Sequence, residues 1–295
     1  MKITVITPFY EGNKYMDDYV DCMIAAKKNL ENEGHELEVI LVNDSPWKTL
    51  EAPSTDSQFI KIITNANNKG IHYSRVEGLK ASTGEYIMFL DQDDAIEADS
   101  LSHLLKRAIE SKADIVVANA NLQQSDGTMV SWYRTDYHKS LIGDLQTYLT
   151  IGIQIISPGQ CLIKKTSIPD YWKEHLVKVN GADDYYLWLL MLAQNKHFVY
   201  LDECLYTHKY TGTNISADTT ATDDSVYDFI ELLQECDYFK NEDAFTLHEM
   251  ITYKNQFRSS STMGKITCSL ANLGLFIKNV QFKRKTDTGL GFNRG

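Results

Sequence analysis

The chain has 295 residues, 43% of them hydrophobic, with 40 Asp and Glu against 29 Lys and Arg and a net charge of −11. That length can bury a full core, no apolar run reaches the roughly 18 residues of a membrane span, and the negative balance excludes a general nucleic-acid binder. Five cysteines, Cys22, Cys161, Cys204, Cys236 and Cys268, lack the paired spacing of a zinc knuckle or a disulfide framework, so free thiols are expected. Met1-Lys2-Ile3-Thr4 runs straight into an apolar stretch without a cleavable leader, which points to a soluble protein retained in the cytoplasm.

Lys2 to Thr7 reads as an opening strand. Tyr15, Met16, Tyr19, Val20, Met23 and Ile24 recur at three and four residue intervals, the spacing of one helical face. Leu37 to Val42 and Phe59 to Thr64 are short apolar strands, Gly70 to Ala81 is a helix and Tyr86 to Leu90 a fourth strand. Ser100 to Ile109 is helical, and Asp114 to Ala118 returns as a strand. This alternation predicts an α/β fold whose parallel sheet is covered on both faces. After about residue 120 come hairpin-like pieces with a turn at Asp126-Gly127, then a helix from Ala182 to Gln194, a strand from Phe198 to Leu201 and a helical tail beyond Asp223.

The fourth strand discharges into Asp91-Gln92-Asp93-Asp94. Crowded carboxylates repel one another, and at the mouth of a strand in an open α/β sheet a divalent cation is the simplest relief. Asp91 and Asp93 share a side if the chain is still extended. Asp94 alone reads as a cap for the next helix. Lys69 and Arg75 lie near the start of the helix after Asn68-Lys69-Gly70, where backbone N–H groups and cations favour phosphate. Asp183-Asp184 precedes an apolar helix, a place that suits acids through the helix dipole whatever their chemistry.

Four blocks together resemble the family 2 glycosyltransferases of the GT-A fold: Ile6-Thr7-Pro8-Phe9-Tyr10, Val42-Asn43-Asp44-Ser45-Pro46, Asn68 to Asp94, and Gly181-Ala182-Asp183-Asp184-Tyr185-Tyr186-Leu187-Trp188. The match covers roughly the first 216 residues. It implies a mostly parallel central sheet flanked by helices, with a GT-A catalytic domain over 1–220, divided into a nucleotide-binding half (1–120) and an acceptor-binding half (121–220), and a helical extension over 221–295. It also implies sugar transfer from a nucleoside diphosphate donor with inversion, aided by Mn²⁺ or Mg²⁺.

The resemblance places Thr7, Pro8, Tyr10, Asp44, Lys69, Arg75, Asp91 and Gln92 at the donor nucleotide. Asp93 becomes the metal ligand, with Asp91 secondary. Asp184 becomes the general base, and Asp183, Trp132 and Gln160 face the acceptor, a glycan or a lipid-linked sugar. Three positions depart from the family pattern: Glu11 where asparagine is common, Asp183 where glutamate is usual, and Thr211 where many members carry a histidine, with His208 nearby as a candidate substitute. These departures keep a non-catalytic nucleotide-sugar binding module as the alternative. A nicotinamide oxidoreductase is excluded because Thr7-Pro8-Phe9-Tyr10-Glu11-Gly12 is no Gly-x-Gly-x-x-Gly loop.

Residues 251–295 carry eight bases against Asp287 alone, a balance of +7 that leaves −18 for the preceding 250 residues. Leu270 to Lys285 mixes apolar and basic side chains. Two readings follow, a segment lying on an anionic membrane surface and a helix packed on the body with a basic outer edge.

Overall fold

A strand covered on both faces must be apolar or internally satisfied along its length. Strand β1 (Lys2–Phe9) meets that demand, with Ile3 through Thr7 buried without a break. It pairs in parallel with β2 (Glu36–Asn43) on one side and β4 (Tyr86–Phe89) on the other, and β2 pairs in parallel with β3 (Ile60–Thr64). Helix α1 (Met16–Asn32) turns Met16, Tyr19, Val20, Met23, Ala26 and Leu30 inward and packs on β2, while α2 (Ile71–Ala81) packs on β1 and β2. The computed structural model describes residues 1–52, 57–124, 126–209 and 219–288.

The sheet order is β3-β2-β1-β4-β8-β6-β9-β5. The long pairings are parallel, as a mostly parallel sheet requires, and β8 (Cys161–Lys164) runs antiparallel between β4 and β6 (Ile115–Gln123). Four residues between two 3-10 turns carry too little periodicity to be read as a strand. β7 (Met129–Ser131) folds back on β6 through the expected turn, where the Gln124 N–H donates to the Thr128 carbonyl at 2.8 Å. β9 (Phe198–Lys209) is far longer than its apolar opening suggests. It lies parallel to β6 with a bulge, so that Ala118 faces Leu201, Asn119 faces Cys204 and Ala120 faces Tyr206. β5 (Ala95–Ile96) pairs antiparallel with its far end, and α3 (Ser100–Ser111) packs on β6, β8 and β9.

Contacts group the chain into two compact units. The first comprises Met1–Ser131, Ile155–Leu176 and Lys196–Thr211 and holds the whole sheet, α1 to α3 and the short α6 (Asp170–Glu174). The second comprises Trp132–Gln154, Val177–Asn195 and Gly212–Gly295. Its helices are α4 (Asp136–Ser140), α5 (Leu145–Thr150), α7 (Asp183–Ala193), α8 (Thr219–Gln234), α9 (Asn241–Ser259), α10 (Thr262–Ala271) and α11 (Leu273–Thr286). A helix apolar all round belongs in a core. Accordingly α7 buries Tyr185 through Leu192, and Phe229 of α8 stacks on Tyr186 with ring centres 5.5 Å apart. All five cysteines are free thiols.

Candidate active site

β1, β2 and β4 point the same way, so their carboxyl ends open on one edge of the first unit, where open α/β sheets bind ligands. Phe9 stands opposite Asn43. The Asp44 N–H donates to the Phe9 carbonyl at 2.8 Å and the Leu90 N–H to the Ile6 carbonyl at 3.0 Å. Tyr10, Asp44 and Asp91 therefore leave the sheet side by side.

Asp44 is buried and its carboxylate is already engaged. Oδ1 accepts from Asn65 Nδ2 at 2.7 Å and from the Lys69 N–H at 2.8 Å, and Oδ2 accepts from the Gly70 N–H at 2.8 Å. Gly70, the residue before α2, has φ +88°, a conformation that L side chains resist. A carboxylate tied to these N–H groups fixes the turn and supplies negative charge at the helix's amino end. These bonds tie Asp44, which the resemblance sets at the donor base, to the turn before α2.

Arg75, on the inner face of α2, donates from Nη2 to Asp91 Oδ1 at 2.7 Å, with its guanidinium 5.9 Å from the Phe89 ring centre. The pair is nearly buried on the arginine side and more open on the aspartate side. Lys69 is exposed, its ammonium 5.9 Å from the Tyr73 ring centre. Asp93 is half-buried. Burial first, then the charges of Asp94 and Asp91, push its carboxyl up to about 6, against weaker opposite effects from its own backbone and His208.

Asp94 does not cap the next helix, which starts six residues later behind Asp99. It is buried and accepts from the Tyr206 hydroxyl and from the Lys209 N–H at 3.1 Å, and it lies 3.2 Å from His208 Nδ1. Burial works to lower the His208 imidazole, but the bond to Asp94 and the charges of Asp94, Asp91 and Asp93 outweigh it, so its pKa is raised. Tyr206 and the anchoring role of Asp94 escape sequence reading because β9 reaches them from more than 110 residues away. Tyr210, Thr211 and the segment through Ser216 lie outside the described residues.

Tyr10 is exposed, with its ring edge-on to the exposed Trp47 at 6.0 Å. The Gln92 side chain clamps the Tyr10 backbone: Oε1 accepts from its N–H at 3.0 Å and Nε2 donates to its carbonyl at 3.2 Å. Gly12 makes room for this amide, since a Cβ there would come within 2.0 Å of Gln92 Oε1. Gln92 thus joins two loops instead of presenting its amide to a donor. Pro8 is half-buried, whereas Thr7 is fully buried with its hydroxyl 2.6 Å from the Tyr19 hydroxyl. Glu11 sits at φ +48° and accepts from Trp47 Nε1 at 3.0 Å. That bond and then Lys48 hold its carboxyl below the usual range.

Gln160, expected to meet the acceptor, is fully buried. It donates to the Ala118 carbonyl at 2.9 Å and accepts from the Ile156 N–H at 3.0 Å, so its amide braces strand ends.

In the second unit, Asp183 and Asp184 occupy the first turn of α7, where the dipole favours them. Asp183 is buried, while Asp184 is half-exposed and accepts from the Tyr185 N–H at 2.7 Å. The loop before them is fixed by α8. Ser225 Oγ accepts from the Ala182 N–H at 3.1 Å and donates to the Val179 carbonyl at 2.7 Å, and Asp228 accepts from the Lys178 N–H. Trp132 donates from Nε1 to the Gln154 carbonyl at 2.7 Å and its ring lies 5.4 Å from His138.

Among the described residues no three His, Cys, Asp or Glu side chains assemble a metal cage. The half-buried Asp93, its carboxyl raised by burial and then by Asp94 and Asp91, suits a cation held by one or two carboxylates and substrate oxygens.

Comparison with known proteins joins this geometry to a lineage. The profile described as Glycosyl transferase family 2 matches residues 4–172, more than half of the chain. The chain belongs to this family. Among its relatives, Glycosyltransferase GlyA of Streptococcus pneumoniae serotype 4 is 28% identical over 230 residues, 73% of this chain but 31% of that protein, so the chain spans about a third of its length. The putative teichuronic acid biosynthesis glycosyltransferase TuaG of Bacillus subtilis is 22% identical over 224 residues, 73% of this chain and 81% of that one. Among solved structures, S. aureus TarS 1-349 matches with a TM-score of 0.59 at 18% identity, covering 94% of this chain and 80% of that one, and its complex with UDP-GlcNAc matches at 0.58 and 18% over 97% and 82%. The family 2 chain therefore has the GT-A fold, a mostly parallel sheet flanked by helices with helices at its carboxyl end.

Proposed function

We propose that this family 2 member transfers a sugar from a nucleoside diphosphate sugar to an acceptor hydroxyl, with inversion at the anomeric carbon, during assembly of a polysaccharide or other surface glycan. The observation that carries the proposal is Asp93, a half-buried acid beside the Arg75–Asp91 pair at the carboxyl edge of the sheet. A uridine diphosphate sugar is the favoured donor, because TarS, which shares the fold, binds UDP-GlcNAc. TuaG, named for teichuronic acid biosynthesis, supports a glycan or lipid-linked acceptor.

In this reading Asp93, with Asp91 behind it, would hold a Mn²⁺ or Mg²⁺ ion. Such an ion, when bound, supplies positive charge to a departing diphosphate. Arg75 fixes the Asp91 carboxylate, and Lys69 offers an exposed cation for phosphate. Tyr10 presents a ring face to the base, and Pro8 and the Gln92-clamped backbone shape that wall. Asp184, more open than Asp183, takes the proton from the attacking hydroxyl, while Asp183 and Trp132 shape the acceptor side. Residues 1–220 carry these functions and 221–295 the helical extension. The same reading includes peripheral attachment at an anionic membrane surface on the cytoplasmic side.

The test is release of nucleoside diphosphate from a set of nucleotide sugars with Mn²⁺, alongside calorimetry with uridine diphosphate. Asp93→Ala and Asp184→Ala should each abolish transfer, and only the former should weaken nucleotide binding. Equal, tight binding by both variants would remove the role given to Asp93, and no release from any donor would leave a binding module.

A further inference from the structure

Helices α10 and α11 are built inside out. In a helix packed on a core, polar side chains face water. Here Asn279 and Thr286 are 8% and 0% exposed and turn back to bond the Leu275 and Phe282 carbonyls, whereas Met263, Leu270 and Leu273 are 74%, 69% and 51% exposed. Ile266 and Ile277 extend the same outward stripe. An apolar cleft of about 410 Å³ opens beside it, lined by Phe257, Ile266, Leu270, Leu273 and Phe276. The helices are not loosely attached. Arg134 and Thr135 donate to the Asp287 and Lys285 carbonyls at 2.9 and 2.8 Å, and Phe282 meets the buried His138 ring at 5.5 Å. The inner face of α11 is thus docked, while Leu273 and Ile277 stay exposed on its outer side.

Charge selects the occupant. Lys278 and Arg284 are exposed on α11, Lys283 and Lys285 share its last turn with Arg284, and Lys265 lines the cleft. A twofold contact between two copies through this face would set basic against basic, because a self-complementary interface brings each patch onto itself. An anionic bilayer satisfies both features at once, with headgroups meeting the bases and the acyl boundary taking the stripe.

We propose that the stripe Met263, Ile266, Leu270, Leu273 and Ile277, edged by Lys278 and Arg284, lies in the surface of an anionic lipid bilayer and that the cleft receives part of an acyl chain. This deepens the membrane attachment named above by giving it a face, and it is testable without any sugar transfer.

The experiment is flotation of the full chain with phosphatidylcholine vesicles, with and without phosphatidylglycerol, together with sedimentation analysis in the absence of lipid. The chain should float with the anionic vesicles only, less so at high salt. Leu270→Asp combined with Leu273→Asp should abolish flotation, and Lys278→Glu with Arg284→Glu should weaken it on the order of tenfold or more. All four positions are exposed, so an unchanged thermal melt certifies the fold of each variant. Failure of the wild type to float, or flotation of the Leu270→Asp, Leu273→Asp variant at the wild-type level, overturns the proposal. So does a lipid-free dimer that those substitutions dissociate, which would make the occupant a second copy. Uridine diphosphate release is scored separately, so loss of flotation with intact transfer refutes this surface and spares the enzymatic reading.

Discussion

Two acidic pairs, Asp93-Asp94 after β4 and Asp183-Asp184 at the head of α7, look alike in sequence and are handled differently by the fold. In each pair one carboxylate is buried, Asp94 in one and Asp183 in the other, and its neighbour is half-open. The difference lies in what surrounds the open member. Asp93 is held out of water and faces two further acids, so its charge is disfavoured, whereas Asp184 sits at the positive end of a helix dipole. Adjacent acids are thus divided by the fold into a buried member and a half-open one.

The contrast breaks most sharply on rate. Asp184→Asn should lower kcat by about 10²- to 10⁴-fold, the usual worth of a positioned base, with nucleotide affinity unchanged by calorimetry. Loss of affinity in step with rate would place Asp184 at the donor instead.

Asp93 should show a pH signature in nucleotide binding. Protonation near pH 6 competes with a cation, so Mn²⁺-dependent nucleotide binding should fall about tenfold per pH unit below that value. The folded state raises this carboxyl above its unfolded value, so its contribution to stability is full below about pH 4 and is lost as pH rises through about 6. Metal-free Asp93→Asn should therefore be more stable than the wild type at pH 7.5, by on the order of 2 kcal/mol, and equal to it below pH 4. A thermal melt series across pH reads this difference, and a destabilised Asp93→Asn at neutral pH would reverse the argument.

The anchors should fail in the opposite manner. Tyr206→Phe removes a donor from the buried Asp94 carboxylate and should cost about 1–3 kcal/mol in a denaturant melt, with a smaller effect on donor KM. Smallest is Gln92→Ala. Its clamp on Tyr10 is partly solvent-exposed, so donor KM should rise only a few-fold while stability stays within about 0.5 kcal/mol.

Much of the first unit is legible in the chain because its strands are short apolar runs and α1 keeps a strict three-and-four spacing. Periodicity locates β1, β2, β3, β4, α1, α2 and α3 within a few residues. It misses β8, whose four residues have no period to show, and most of β9, where Asp202 and Glu203 interrupt the apolar pattern. Where the acids stand is legible: Asp91 to Asp94 follow β4, and Asp183 and Asp184 open α7, as the apolar runs beside them predict. Side-chain commitments are not. Gln160 bonds a carbonyl 42 residues away and Gln92 a backbone 82 residues away, and nothing local announces either partner. One departure from the family pattern gains a physical meaning. Glu11 occupies the left-handed region, which asparagine tolerates better than glutamate, and its bond to Trp47 offsets the strain.

The bulge in β9 sets a rule of parity. Between Leu201 and Tyr206 the strand gains three residues on its partner, an odd number, and side chains alternate faces along a strand. Shortening Asp202-Glu203 by one residue would rotate Tyr206 and His208 to the opposite face and leave the Asp94 carboxylate buried without them. The length of that excursion is therefore as constrained as the identity of the acids it supports, and natural variation there should come in pairs.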